Sequence, residues 1–197
     1  MCHLWYTLQL NHIRQCLRQM VMGQFIVLHG MAGTGKSVLA AEAVRDVDLM
    51  VNTFNSNIYW LTIGQTDKDT LLTRMQALCE RLDYTGVPPL SVDQASERLR
   101  RLMSDPRRKN SLLILDDVWR GEVVRAFDLG CKVLLTTRDA TVMDVVQGRA
   151  ELIRIQDGFT QQESMTYLAK CLQLTEQELP HQAYQIYSES KGTLCLC

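Results

Sequence analysis

The sequence has no long hydrophobic run. No stretch approaches the ~20 consecutive apolar residues that a membrane-spanning helix needs. The segment from Met1 to Leu10 has no basic region ahead of an apolar stretch, so a signal peptide is not expected either. We therefore expect a protein of the cytoplasm that has no membrane partner.

The chain also lacks an excess of charge of either sign. Its 21 Lys and Arg residues nearly balance its 22 Asp and Glu residues, giving a formal net charge of −1. Basic residues cluster between Arg98 and Lys109, but no aromatic residues are interleaved with them, as a single-stranded nucleic-acid surface would need. We interpret this cluster as a solvated helix end and turn, and no nucleic-acid partner is expected.

The cysteines do not form a metal framework. Their number, seven, is odd, and the pair in Cys195-Leu196-Cys197 has no second pair that would complete four zinc ligands. Reduced thiols in the cytosol are the simplest interpretation. With 46% hydrophobic and 22% charged residues over 197 positions, the chain is expected to form one globular domain, or one domain and a small part of another.

The most informative segment present is Gly30-Met31-Ala32-Gly33-Thr34-Gly35-Lys36-Ser37, a complete match to the phosphate-binding pattern G-x-x-x-x-G-K-[ST]. The glycines allow sharp turns that aim successive N–H groups at phosphate oxygens. The lysine brings a positive charge to the β- and γ-phosphates, and the serine hydroxyl can complete a Mg²⁺ shell. The candidate nucleotide-binding residues are Gly30, Met31, Ala32, Gly33, Thr34, Gly35, Lys36, Ser37 and the adjoining Val38.

The flanking sequence supports a phosphate loop. Phe25–Leu28 is a short apolar run typical of a buried strand, and apolar residues from Val38 to Val47 recur at helical spacing. This arrangement predicts strand, loop and helix in succession, so that the N–H groups of the helix also face the phosphates. The alternative is an ordinary glycine turn between a strand and a helix.

Strands and helices are predicted to alternate along the rest of the chain. The predicted strands are Ile58–Ile63, Leu112–Leu115, Lys132–Thr136 and Glu151–Ile155. The predicted helices cover about residues 8–22, 71–82, 92–103 (capped by Ser91), 160–172 and 176–190. This alternation predicts a parallel sheet that is covered by helices on both faces.

Two acids and an arginine complete the candidate site. Asp116 and Asp117 follow the strand Leu112–Leu115, where an open α/β sheet delivers its ligand-binding groups. We predict that Asp116 holds Mg²⁺ and that Asp117 orients or polarises an attacking water; an acidic turn is the alternative. Arg138, after the next strand, could contact the γ-phosphate, or could simply pair with Asp139 at the surface.

These motifs together resemble the NB-ARC domain of signalling ATPases, within the STAND class of P-loop NTPases. The resemblance is carried by His29–Asp46, Leu112–Trp119 and Leu134–Asp139, and it continues into Glu178–Thr193. It implies a three-layer α/β fold with a five-stranded parallel sheet, followed by the start of a small helical domain. We expect an N-terminal amphipathic helix over 1–22, the nucleotide-binding domain over 23–157, and a partial helical domain over 158–197.

The resemblance also implies a function. Members of the family bind ADP or ATP (or dATP) with Mg²⁺, and the apoptotic members act as switches that self-associate and recruit caspases. It assigns Lys36 and Ser37 to phosphate and Mg²⁺, Asp116 to Mg²⁺, and Arg138 to sensing the γ-phosphate. Asp117 stands where faster relatives often have a glutamate, which is consistent with, at most, a slow Mg²⁺-dependent ATPase.

Two other functions remain open from the sequence. One is a P-loop ATPase coupled to nucleic-acid or protein remodelling, and the other is a degenerate interaction module that no longer binds nucleotide. We further expect the chain to be a fragment, because Lys191-Gly192-Thr193 is followed by Leu194 where family members have a Gly-x-Pro segment and then a winged-helix domain. We expect such a fragment not to assemble or to recruit caspase alone.

Overall fold

The computed structural model describes residues 2–83, 87–146, 148–155 and 161–190. Five parallel strands form one sheet in the order β2-β3-β4-β1-β5. In chain order they are β1 (Phe25–His29), β2 (Ile58–Gly64), β3 (Leu112–Val118), β4 (Lys132–Thr137) and β5 (Ala150–Arg154). The expected five-stranded parallel sheet is confirmed.

Seven α-helices surround or follow the sheet within these ranges. They are α1 (Cys2–Gln19), α2 (Lys36–Val44), α3 (Lys68–Leu82), α4 (Val92–Met103), α5 (Gly121–Ala126), α6 (Gln161–Leu172) and α7 (Gln182–Ser190). Short helical turns occur at Leu49–Thr53, Pro106–Arg108, Ala140–Val146 and Glu176–Glu178. Among the described residues, no helix is both long enough and apolar enough to span a bilayer.

The two faces of the sheet carry separate hydrophobic cores, because neighbouring side chains of a strand point to opposite faces. In β1, Ile26 and Leu28 pack with α1 and α2, whereas Phe25 and Val27 pack with α3, α4 and α5. All four of these side chains are fully buried. Helices therefore cover both faces, which confirms the three-layer arrangement.

A third, smaller core lies in the segment that follows the sheet. It is formed by Met165 and Ala169 of α6 with Leu179 and Ala183 from the turn and helix beyond it. This segment matches the expected start of a helical domain. The division of the chain at residues 22 and 157 stays a prediction, and α1 shares a core with β1 and α2.

Several element boundaries differ from the sequence predictions. Helix α1 spans Cys2–Gln19 rather than residues 8–22, and Gly23, at φ 76°, turns the chain toward β1. The last helix begins at Gln182 rather than 176, because Pro180 separates it from the turn Glu176–Glu178. The six-residue helix α5 was not predicted.

The strand order brings the candidate functional segments to one edge. Strand β4 lies between β3 and β1, and all three run in the same direction. The phosphate loop after β1, the two acids that end β3 and Arg138 after β4 therefore meet at the carboxyl edge of the sheet.

Candidate functional site

The phosphate loop has a backbone that requires glycine. Gly30 has a φ of 154°, and a Cβ at this position would lie 2.5 Å from the carbonyl oxygen of Ile155. Gly33 and Gly35 have φ values of 77° and 82°, in the left-handed region that other residues rarely adopt. Glycine is therefore favoured at these positions because a side chain would clash with Ile155 or strain the backbone.

Lys36 lies inside the loop that precedes it. The residue is only 7% exposed, and its ammonium donates hydrogen bonds to the carbonyl oxygens of Gly30 at 2.9 Å and Met31 at 2.5 Å. Its Nζ also lies 3.4 Å from Oγ1 of Thr34. The positive charge is thus held at the centre of the loop, where an anionic group seated on the loop would meet it.

Two oxygen groups suited to Mg²⁺ lie together beside the loop. The hydroxyl of Ser37 donates to Oδ1 of Asp116 at 2.6 Å, although 79 positions separate the two residues in the sequence. A serine hydroxyl and a carboxylate are the hard oxygen donors that Mg²⁺ prefers, and this ion commonly takes few protein ligands and completes its shell with water and phosphate. The donor set therefore fits the metal predicted from the sequence, and Ser37 and Asp116 are the residues that would hold it.

Thr136, at the end of β4, links both acids of β3. Its buried hydroxyl donates to Oδ1 of Asp116 at 2.7 Å and accepts a hydrogen bond from the backbone N–H of Asp117 at 2.8 Å. No sequence motif marks this residue as part of the site. The available signal was its position, one residue before the end of a strand that precedes the candidate arginine.

Asp117 has an unusual conformation for a strand residue. Its φ is 57°, and the register between β3 and β4 shifts between Leu115 and Val118, on either side of the two acids. Aspartate tolerates this left-handed conformation better than most residues do. The irregularity breaks the strict alternation of side chains, and both Asp116 and Asp117 line the same cavity.

Arg138 faces Asp117 across the cavity mouth. Its Nε lies 3.7 Å from Oδ1 of Asp117, and its guanidinium carbon lies 4.5 Å from the ring centroid of Trp119. The alternative partner considered from the sequence, Asp139, instead accepts hydrogen bonds from Thr141 at 2.9 Å and 2.8 Å. Arg138 is therefore turned toward the site rather than toward its neighbour in the sequence.

These groups enclose a cavity of about 360 Å³. It is lined by Ala32, Gly33, Gly35, Lys36, Ser37, Val38, Thr62, Asp116, Asp117, Thr136 and Arg138. Of the residues predicted from the sequence, Gly30, Met31 and Thr34 lie in the loop but not in this lining. Thr62, which ends up opposite Asp116 in the pairing of β2 with β3, is a lining residue that the sequence did not reveal.

His29, at the end of β1, adds no positive charge at the base of the loop. Burial lowers the pKa of this imidazole, and the nearby charges of Arg154 and Lys36 lower it further. The imidazole is therefore neutral around neutral pH, so that Lys36 supplies the positive charge of the loop itself.

The described cysteines and histidines add no further metal site to this one. Among the side chains that the structure describes, no cluster of three or more His, Cys, Asp or Glu residues could hold a metal ion. The described cysteines are free thiols, buried at Cys16, Cys79 and Cys131 and exposed at Cys171. The remaining three cysteines lie outside the side chains described.

A parallel sheet of this strand order, with a glycine loop and lysine after β1 and an acid at the end of β3, defines the P-loop NTPase class of α/β proteins. Comparison with known families narrows this class. The model of the NB-ARC domain matches residues 7–177, and the chain belongs to the NB-ARC family.

The chain is similar to known apoptotic regulators. It is 42% identical over 173 residues to human apoptotic protease-activating factor 1, a match that covers 86% of this chain and 14% of that protein. The zebrafish protein of the same name is 42% identical over 191 residues, covering 93% and 15%. Cell death protein 4 of Caenorhabditis elegans is 29% identical over 139 residues, covering 66% and 25%.

Solved structures share the fold at low sequence identity. A chain of Drosophila ORC bound to AT-rich DNA and Cdc6 has a TM-score of 0.56 and 12% identity, covering 94% of this chain and 74% of that one. The ADP form of the Aeropyrum pernix ORC2 protein has a TM-score of 0.54 and 14% identity, covering 96% and 57%. At these identities the likeness is one of fold alone.

Proposed function

We propose that this chain is the nucleotide-binding switch domain of an apoptotic regulator that promotes caspase activation, and that it binds ADP or ATP with Mg²⁺. The observation that carries the proposal is the convergence of Lys36, the Ser37–Asp116 pair and Arg138 on one cavity. Strand order brings these groups together from three strand ends, which a glycine turn alone would not require.

Each residue has a role that follows from its surroundings. The loop from Gly30 to Gly35 and the start of α2 with Val38 would seat the phosphates, and Lys36 would neutralise the β- and γ-phosphates. Ser37 and Asp116 would hold Mg²⁺, which when bound supplies positive charge to the phosphate oxygens. Arg138 stands at the mouth, where its side chain can distinguish a nucleotide that has a γ-phosphate from one that lacks it.

Hydrolysis is proposed to be slow at most. Asp117 is the candidate for orienting water, but its side chain is short, and its Oδ1 lies 3.7 Å from Nε of Arg138. A short acid reaches less far toward an attacking water than a glutamate would, and a general base must lie within hydrogen-bond reach of the proton it takes. Slow turnover suits a switch, because each nucleotide state then lasts long enough to be acted on.

The biological setting is also part of the proposal. The chain spans 14–15% of the length of the vertebrate relatives it matches, whose name describes a factor that activates apoptotic proteases. In a longer protein of this family, we propose a second copy of the protein and a caspase as partners, and the cytoplasm as the compartment. Whether dATP replaces ATP depends on contacts to the base and sugar.

Replacing Lys36 by alanine tests the site directly. We expect the affinity for fluorescent ADP and ATP, titrated with Mg²⁺, to fall about tenfold or more, because a charge-assisted contact to phosphate is lost. The matched control is Lys109→Ala, which removes an exposed lysine that precedes β3 at the opposite edge of the sheet. Equal affinities for wild type and Lys36→Ala would refute the proposed site.

The same protein preparations separate the two alternatives. A remodelling ATPase predicts rapid turnover that DNA, RNA or a protein polymer stimulates, whereas we expect slow turnover that these polymers do not change. A degenerate module predicts no saturable binding of either nucleotide by the wild type. Saturable binding with slow, unstimulated turnover is the outcome that our proposal requires.

A further inference from the structure

Trp119 lies beside Arg138 at the mouth of the cavity and is not one of the lining residues. It follows β3 by one residue, as Arg138 follows β4, and the two strands are neighbours in the sheet. Their carboxyl ends therefore place the indole and the guanidinium side by side, with 4.5 Å between the ring centroid and the guanidinium carbon. Trp119 stays 36% exposed, which is a large apolar exposure at the edge of a polar cavity.

We infer that Trp119 is a positioning residue for Arg138. It holds the guanidinium at the cavity mouth, so that the N–H groups can leave Asp117 and bind the terminal phosphate of ATP. The inference rests on the proposed function, because it concerns how this chain distinguishes ATP from ADP. Trp119 itself is not proposed to contact the nucleotide.

The contact with Trp119 and the hydrogen bonds of Arg138 use different parts of the guanidinium. A cation over an aromatic ring is attracted to the face of the ring, whereas the five N–H groups of a guanidinium point outward in its own plane. Stacking therefore fixes the guanidinium without using its donors. Those donors remain able to reach an acceptor beside the ring, and in this structure Nε lies 3.7 Å from Oδ1 of Asp117.

The ion pair with Asp117 is too loose to fix Arg138 by itself. The distance of 3.7 Å exceeds that of a normal hydrogen bond, and the side chains of Arg138 and Asp117 are 47% and 36% exposed. Exposed pairs of this kind contribute little. The stack on Trp119 is therefore the contact that stays when Asp117 is exchanged for another acceptor.

The neighbouring cation does not share this arrangement. Arg120 follows Trp119 directly, but its guanidinium pairs with Glu122 at 2.9 Å. Arg120→Gln therefore removes a positive charge next to Trp119 without removing the stacked one. It is the matched control for the experiments below.

NMR of the chain without nucleotide tests the stack. We expect the side-chain Nε–Hε signal of Arg138, assigned by its loss in Arg138→Gln, to be shifted by the ring current of the indole. The shift should disappear in Trp119→Leu, be partly retained in Trp119→Phe, and remain in Arg120→Gln. An Arg138 signal at the same position in wild type and Trp119→Leu would overturn the inference, and Trp119→Phe decides it if the leucine variant does not fold.

Nucleotide affinities test the consequence of the stack. With Mg²⁺ present, we expect Trp119→Leu to weaken ATP binding about two- to fivefold and to leave ADP binding unchanged, with most of the loss restored in Trp119→Phe. Equal weakening for ATP and ADP would show a merely structural role and overturn the inference. If the wild type binds neither nucleotide, the proposed function fails, and the Arg138 signal still decides whether Trp119 holds the guanidinium.

Discussion

At the scale of single residues, Thr136 is the group that organises the acids of the site. Its hydroxyl contacts Asp116 and Asp117 at once, as donor to one and acceptor from the other. Sequence patterns predicted Lys36 and Ser37 from a motif of fixed spacing, and Asp116 and Arg138 from their positions after predicted strands. They could not identify Thr136, because its partners lie on β3 and become neighbours only through the strand order.

Replacing Thr136 by valine should change both the stability of the fold and the dependence of nucleotide binding on Mg²⁺. We expect a loss of about 1–3 kcal/mol in the free energy of unfolding, because the part-buried N–H of Asp117 loses its acceptor. We also expect nucleotide affinity to depend less on Mg²⁺, because Asp116 loses a hydrogen bond that orients its carboxylate. Urea denaturation and nucleotide titrations with and without Mg²⁺ measure the two effects.

The adjacent residue supplies the control. The hydroxyl of Thr137 is equally buried and bonded, donating to the carbonyl of Val118 at 2.7 Å and accepting from the N–H of Asp139 at 3.1 Å, but it contacts neither acid of β3. Thr137→Val should therefore lower stability and leave the Mg²⁺ dependence intact. The same loss of Mg²⁺ dependence in both variants would contradict the role of Thr136.

At the scale of elements, the sequence predicted the type of most helices and strands, but it did not predict where several of them end. Strand β3 continues through both acids to Val118, whereas its apolar run stops at Leu115. The prediction ended too early because Asp116 and Asp117 are polar, yet their backbone and side chains still bond to β4. Helix α5 was missed because six residues are too few to show a helical period.

Helix α4 offers an element-scale prediction that originates in the sequence. The hydroxyl of Ser91 accepts from the N–H of Gln94 at 3.2 Å, as expected for a cap. Ser91→Ala should lower the free energy of unfolding by about 1 kcal/mol in urea denaturation. Ser104→Ala, at the other end of the helix, should lower the free energy of unfolding by less. The Ser104 hydroxyl donates to the exposed carbonyl oxygen of Arg101, and water can replace that hydrogen bond.

At the scale of the whole molecule, the alternation of strands and helices in the sequence was enough to predict a sheet covered on both faces. Each of the two cores beside the sheet contains at least one buried thiol. Cys16 lies in the core with α1 and α2, and Cys79 and Cys131 lie in the core with α3, α4 and α5. Burial raises the pKa of Cys16 and of Cys131 to about 12, with the Glu151 carboxylate adding to the effect at Cys16. Both thiols therefore stay protonated and unreactive in the folded protein at neutral pH.

Alkylation followed by mass spectrometry should reveal how the layers open. We expect exposed Cys171 to react with iodoacetamide at once, and Cys16, Cys79 and Cys131 to react together at a rate that follows global unfolding. One buried thiol reacting well before the others would show that its layer opens separately. Repeating the measurement in denaturant, where all described thiols should react, checks that each modified peptide is detected.

The left-handed backbone of Asp117 also limits which acids the site can evolve. A glutamate there would reach further toward an attacking water, but it lacks the short side chain that lets aspartate and asparagine tolerate a φ of 57°. Lengthening the acid would therefore strain the backbone by about 1 kcal/mol unless the irregularity in β3 were also removed. In evolutionary terms, exchanging this aspartate for a glutamate without strain takes two coordinated steps, one in the side chain and one in the pairing of β3 with β4.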